Sequence, residues 1–132
     1  MSNTKKHNSV DDFQLEQEID GVIMKDMDKL TVGELSDLIV QWGKDRGILI
    51  NGTANAQFIK LAEEMGELAA GLAKGNRQLT LDSIGDMIVV LIMIADLVDT
   101  NIEDCLRLAW DEIKDRKGYL NSDGIFVKES DL

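Results

Sequence analysis

The chain has 132 residues, enough for one domain with its own core, and no proline, which excludes collagen-like and proline-rich architectures. Twenty-five acids against fourteen bases give a net charge of −11. That is the wrong sign for stable binding to nucleic acid or to an anionic membrane, and an anionic small substrate would need a bridging cation.

Residues 1–28 are polar and weakly periodic and read as an arm, with a short helical turn around residues 13–23. Residues 1–10 lack the apolar stretch of a secretory signal. From there on, 29–132 reads as one all-α domain. Thr31 and Glu34 have the spacing of a capping box, and Val32, Leu35, Leu38, Ile39 and Trp42 follow at helical spacing, so a first helix ends near Arg46-Gly47. Residues 48–52 read as a connection. Thr53 caps a second helix over about 54–74, whose apolar stripe is Phe58, Leu61, Ala62, Met65, Leu68, Ala69 and Leu72, with Gly75 placed for a left-handed cap.

A third helix covers about 80–98. Its middle, residues 87–95, is apolar all round, which predicts a central buried helix or a homo-oligomer interface, a dimer or a dimer of dimers. That run is nine residues between Asp86 and Asp96, too short to span a bilayer. Asn101 caps a fourth helix over about 102–116, with Leu106, Ala109, Trp110 and Ile113 inward and Gly118 ending it. The tail around Asn121-Ser122-Asp123-Gly124 reads as a small hairpin. Four helices with short connections make an all-α bundle.

Most catalytic sets are absent from the sequence. His7, the only histidine, lies in the expected arm and Cys105 is the only cysteine, which argues against a Ser-His-Asp triad, a Cys-His pair and a zinc site of the usual kind. A lone cysteine also suits a reducing, cytoplasmic setting. What remains is carboxylates. Glu63, Glu64 and Glu67 crowd one face of the second helix as E-E-x-x-E, and Asp82 and Asp86 lie four apart on the third. Like charges at these spacings oppose one another, and a divalent cation reverses the sign of that interaction. In so acidic a chain the plainer reading is a solvated face, with Lys60 pairing Glu64. Against it, Asp86 opens the apolar run, and buried acids are normally paired or metal-bound.

The stretches Gln57-Phe58-Ile59-Lys60-Leu61-Ala62-Glu63-Glu64-Met65-Gly66-Glu67-Leu68 and Asp82-Ser83-Ile84-Gly85-Asp86 resemble the E-E-x-x-E and E-x-x-D motifs of the MazG-like nucleoside triphosphate pyrophosphohydrolases, in the all-α NTP pyrophosphatase superfamily. Two further stretches, Trp42-Gly43-Lys44-Asp45-Arg46-Gly47 and Ile113-Lys114-Asp115-Arg116-Lys117-Gly118 followed by Gly124-Ile125-Phe126-Val127-Lys128, resemble its small phage and bacterial members. The resemblance covers about residues 31–128. It implies a four-helix fold of that type, hydrolysis of a nucleoside triphosphate to monophosphate and pyrophosphate, and Mg²⁺, with Mn²⁺ as substitute, on Glu64, Glu67 and Asp86. Glu63 would hold or deprotonate the water. Ser83 departs from the pattern, since a glutamate ligand is expected there, and Asp82 is the expected stand-in, with Ser83→Glu tolerated. Trp42 would stack on the base. Arg46, Lys114, Arg116 and Lys117 would hold phosphate oxygens, and Gln57 and Lys60 complete the substrate contacts. For Lys114, Arg116 and Lys117, complementing a helix dipole is the simpler role. Two alternatives stand beside this reading: a non-catalytic acidic protein, such as a DNA mimic or inhibitor, and a family member that binds nucleotide without hydrolysing it.

Overall fold

The structure, a computed structural model, describes residues 29–131; the expected arm at 1–28 lies outside them. It is mostly helical. In chain order come α1 (Val32–Asp45), a four-residue α2 (Ile48–Asn51), α3 (Ala54–Lys74), α4 (Arg77–Leu97) and α5 (Ile102–Ile113), then β1 (Gly118–Leu120), β2 (Phe126–Lys128) and a closing 3-10 turn (Glu129–Asp131).

Helix starts follow from local chemistry. Thr31, Thr53, Asn76 and Asn101 are extended residues whose side chains accept the amides of Glu34, Ala56, Leu79 and Asp104, satisfying donors that a helix start leaves free. Only half of the expected capping box forms at Thr31, because Glu34 turns its carboxylate to the Thr31 hydroxyl at 3.3 Å.

The pair α3/α4 is the frame of the molecule. Gly75, at φ +63, lets its own amide and that of Asn76 fold back onto Leu72 and Gly71 carbonyls, and Asn76 at once caps α4. Two residues therefore reverse the chain, and α4 begins at Arg77, three residues before the expected start. Close packing follows at Gly71: a Cβ there would lie 2.9 Å from the Thr80 amide nitrogen. Carried two turns along both antiparallel helices, this register brings Glu64 level with Asp86.

Helix α1 lies on α4, with Gly43 against Met93 and Leu49, and Leu49 comes from α2, the segment expected to be a plain connection. Helix α5 touches α1 where the Glu103 carboxylate lies against Gly33. The tail is the expected hairpin. Gly118 pairs with Lys128 and Leu120 with Phe126, while Asn121 Oδ1 accepts the amides of Asp123 and Ile125.

Among the described residues the buried apolar core is small: Val90, Ile92, Met93 and Ala95, all on α4. This corrects two expectations. On α5 the stripe predicted to face inward is open, with Leu106 56 %, Trp110 59 % and Ile113 48 % exposed. On α3, Phe58, Met65 and Leu72 are exposed while Leu61 and Leu68 are half-buried. Periodicity names the apolar side of a helix, but burial needs a partner surface, and the described residues do not supply one for these stripes. Helix α4 is the one described helix long and apolar enough to cross a bilayer. It is also the helix that supplies the core, and it carries Asp82, Asp86 and Asp96, each costly to place in hydrocarbon.

Candidate metal centre

Side chains on one face of α3 and one face of α4 meet where the two helices lie level. Glu64 and Glu67 are one turn apart on α3, and Asp86 faces them from α4. One carboxylate oxygen from each lies within 4.8 Å of the others. Glu64 is buried, whereas Glu67 and Asp86 are open to solvent, so the group has a closed floor and an open mouth.

Electrostatics mark the group as unfinished. Asp86 holds its proton above the ordinary carboxylate range, first because its carboxyl loses part of its water, then because Glu64 and Asp82 are close; Lys60 pulls the other way. Lys60 is the nearest base. Its ammonium lies 3.1 Å from Glu63 Oε2 and 3.5 Å from Glu64 Oε1, and the bond to Glu63 is the main reason it holds its proton more tightly than a free lysine. The second oxygen of Glu64, Oε2, is buried and has no hydrogen-bond partner. An orphaned anionic oxygen inside a carboxylate cluster is costly unless a cation takes it up. Three hard oxygen donors with an open side fit Mg²⁺ or Mn²⁺, which retain water and phosphate as further ligands.

Beside the trio, a cavity of about 610 Å³ opens between α1 and α4. Val32, Leu35 and Ile39 form one wall and Ile88, Val89 and Ile92 the other, with Ser36, Asp82 and Asp86 as its polar groups. Asp86 thus belongs to both trio and cavity.

The remaining candidates fall as follows. Glu63 is exposed and tied to Lys60, one residue from the trio but outside it. Asp82 lies on the cavity wall, where the Gln78 amide donates to both its oxygens at 3.3 and 3.4 Å, and it is not one of the trio. Gln57 is half-buried on α3, two turns before Glu64. Trp42 is 43 % exposed, with the Arg46 guanidinium 4.9 Å above its ring, and neither lines the cavity. Lys114 and Arg116, just past the end of α5, are bound by acids of that helix, Asp111 at 2.9 Å and Glu112 at 2.8 Å, and with Lys117 they also lie outside the cavity wall. Ser83 is wholly enclosed, and its hydroxyl has no partner. The expectation that glutamate is tolerated there needs correction: in metal-free protein, Ser83→Glu would add a buried charge beside three acids. Sequence reasoning missed the cavity's α1 wall and Ser36. The only signal for them was the 3–4 spacing of Val32, Leu35, Ser36 and Ile39.

No family model matches the chain, and no solved structure matches it. An uncharacterized 18.2 kDa protein from the rep-hol intergenic region of Haemophilus phage HP1 (strain HP1c1) is 47 % identical over 57 residues. The match covers 43 % of this chain and 35 % of that protein, so the chain spans about a third of its relative's length.

Proposed function

We propose that the protein is a Mg²⁺-dependent hydrolase of the MazG-like, four-helix type, which splits a nucleoside or deoxynucleoside triphosphate between its α- and β-phosphates. The observation that carries this reading is the trio Glu64, Glu67 and Asp86 with its orphaned buried oxygen, set at the edge of an apolar cavity. Glu64, Glu67 and Asp86 would hold the metal. When bound, it neutralises phosphate charge and lowers the pKa of a water.

The chain's own residues supply the rest. The cavity walls on α1 and α4 take the nucleoside and exclude water, with Ser36 available for a hydrogen bond. Glu63 stands next to the trio and receives the proton of the attacking water once Lys60 shifts to the phosphates. The water oxygen bonds to the α-phosphorus, the bond from it to the bridging oxygen breaks, and pyrophosphate leaves with that oxygen. Positioning and charge neutralisation provide most of the rate. Nucleotide-pool control in the cytoplasm is the corresponding role.

Glu67→Gln and Asp86→Asn test the assignment. Each should abolish Mg²⁺-dependent turnover and weaken Mg²⁺ binding in titration calorimetry while the helical circular dichroism stays unchanged. Full activity in both variants rejects the site. Mg²⁺ and nucleotide binding without turnover in the wild type selects the non-hydrolysing alternative, for which the enclosed Ser83 is the structural reason.

A further inference from the structure

The carboxylate site carries a cation of its own. Lys60 lies one turn before Glu64 on α3, and its ammonium stands 3.1 Å from Glu63 Oε2 and 3.5 Å from Glu64 Oε1. It holds its proton firmly, first through the bond to Glu63, so at neutral pH it bears a full positive charge. That charge is also felt on α4, where it opposes the upward shift of Asp86. One lysine therefore acts on two acids of the trio and on the acid beside them.

The two oxygens of Glu64 have different fates. Oε1 faces Lys60, while Oε2 is enclosed without a partner, in a residue only 8 % exposed. The lysine thus balances part of the cluster and leaves its most buried oxygen unpaired. Nothing packs the lysine in place: its side chain is 53 % exposed and that of Glu63 61 %. Exposed pairs of this kind are weak, and a lysine head on a flexible stem moves away at little cost. A divalent ion taken up by Glu64 would share that carboxylate with the ammonium. It carries twice the charge, becomes the largest local charge, and repels the lysine.

We infer that Lys60 is a built-in counter-ion which metal binding expels. In metal-free protein it holds Glu64 Oε1 and ties down Glu63 through one ammonium. A divalent cation entering on Glu64 displaces it, and the same movement releases Glu63. The inference rests on the proposed metal site and names its regulation: the acid next to the trio becomes free to accept a proton only when the metal is present. Lys60 is then a positioning residue that acts through Glu63 and Glu64. An ordinary surface ion pair within one helix would have no such link to the metal, and a lysine that only supports the fold would weaken metal binding when lost. Displacement predicts the opposite sign, because removing a competing cation strengthens the binding of the other.

Titration calorimetry of Mg²⁺ into the nucleotide-free 132-residue chain tests it. The variants are Lys60→Met and, as control, Lys74→Met at the far end of the same helix. Lys60→Met should bind Mg²⁺ about three- to tenfold more tightly than wild type at low salt, and Lys74→Met should stay within about twofold. Wild-type protein gives a second readout that needs no substitution. In EDTA a zero-length carbodiimide should join the Lys60 amine to the Glu63 carboxyl as an amide, with loss of water, and Mg²⁺ should suppress that product in mass spectra of the digested chain. Equal or weaker Mg²⁺ binding by Lys60→Met, or a Lys60–Glu63 product that forms as readily in Mg²⁺ as in EDTA, overturns the inference and leaves the metal site standing. Absence of Mg²⁺ binding in all three proteins removes the site and the inference together.

Discussion

Asp86→Asn should reverse its effect on stability when Mg²⁺ is added. In metal-free protein the variant removes one of three carboxylates whose oxygens lie within 4.8 Å. At that separation a pair of full charges repels by about 0.9 kcal/mol in water and about 3.5 kcal/mol at an effective dielectric constant near 20. Glu67 and Asp86 are exposed, so the lower figure applies to each of the two pairs that Asp86 makes. Two such pairs total about 1.7 kcal/mol, of which salt screening leaves about 1 kcal/mol, a rise of roughly 3–5 °C in Tm for a chain of this size. A cation at a hundred times its Kd stabilises a binding protein by about 2.7 kcal/mol. The wild type should gain that amount and Asp86→Asn little of it. Calorimetric melts in EDTA and in excess Mg²⁺ should therefore rank the two proteins in opposite orders. A variant less stable than wild type in EDTA, or an equal Mg²⁺-induced rise in both, would show that the three carboxylates do not act as one site.

The same residue sets a pH dependence. Because Asp86 binds its proton more tightly when folded, its contribution to stability is complete below the ordinary carboxylate pKa, about 3.9, and is lost as pH rises through its raised value. Metal-free protein should thus gain stability from this site on mild acidification, and Mg²⁺ affinity should fall over the same interval in titration calorimetry; an affinity flat across that interval would contradict this. At Ser83, alanine should be neutral or stabilising, since the hydroxyl is enclosed and unpartnered, whereas Ser83→Glu should lower Tm in EDTA and recover with Mg²⁺. Gly71→Ala should cost about 1–3 kcal/mol in urea unfolding, because the new methyl meets the Thr80 backbone and forces the α3/α4 turn apart; an unchanged midpoint would mean that the turn yields freely. Asp99 closes α4 at φ +64, where glycine is at ease, so Asp99→Gly should raise stability by up to about 1 kcal/mol.

The residues that made the helices legible are the ones that cap them. Thr31, Thr53 and Asn101 are short polar side chains ahead of an apolar periodicity, and each caps in the structure as the sequence suggests. Asn76 has the same chemistry and caps α4, but the sequence reading began this helix at about residue 80, three residues late. Helix α2, Ile-Leu-Ile-Asn, is too short to show a period; its helicity comes from Gly47 at φ +77 and from packing on Gly43. That Glu64, Glu67 and Asp86 come together was legible partly from their helical spacing and partly from the family resemblance, which implied metal positions for them. The direction of Asp82 was not, because it depends on the Gln78 amide one turn earlier. Burial on α3 and α5 was the least legible feature. An apolar stripe states which side wants covering, and the sequence does not say whether the cover belongs to the same chain.

The reaction itself tests the central claim most directly. The 132-residue chain, incubated with each common NTP and dNTP in Mg²⁺, should release pyrophosphate and the matching monophosphate in equal amounts from at least one of them, with no orthophosphate. Turnover should vanish in EDTA and in Glu64→Gln. Release of orthophosphate, turnover that survives EDTA, or no product from any nucleotide in Mg²⁺ or Mn²⁺ would contradict the account.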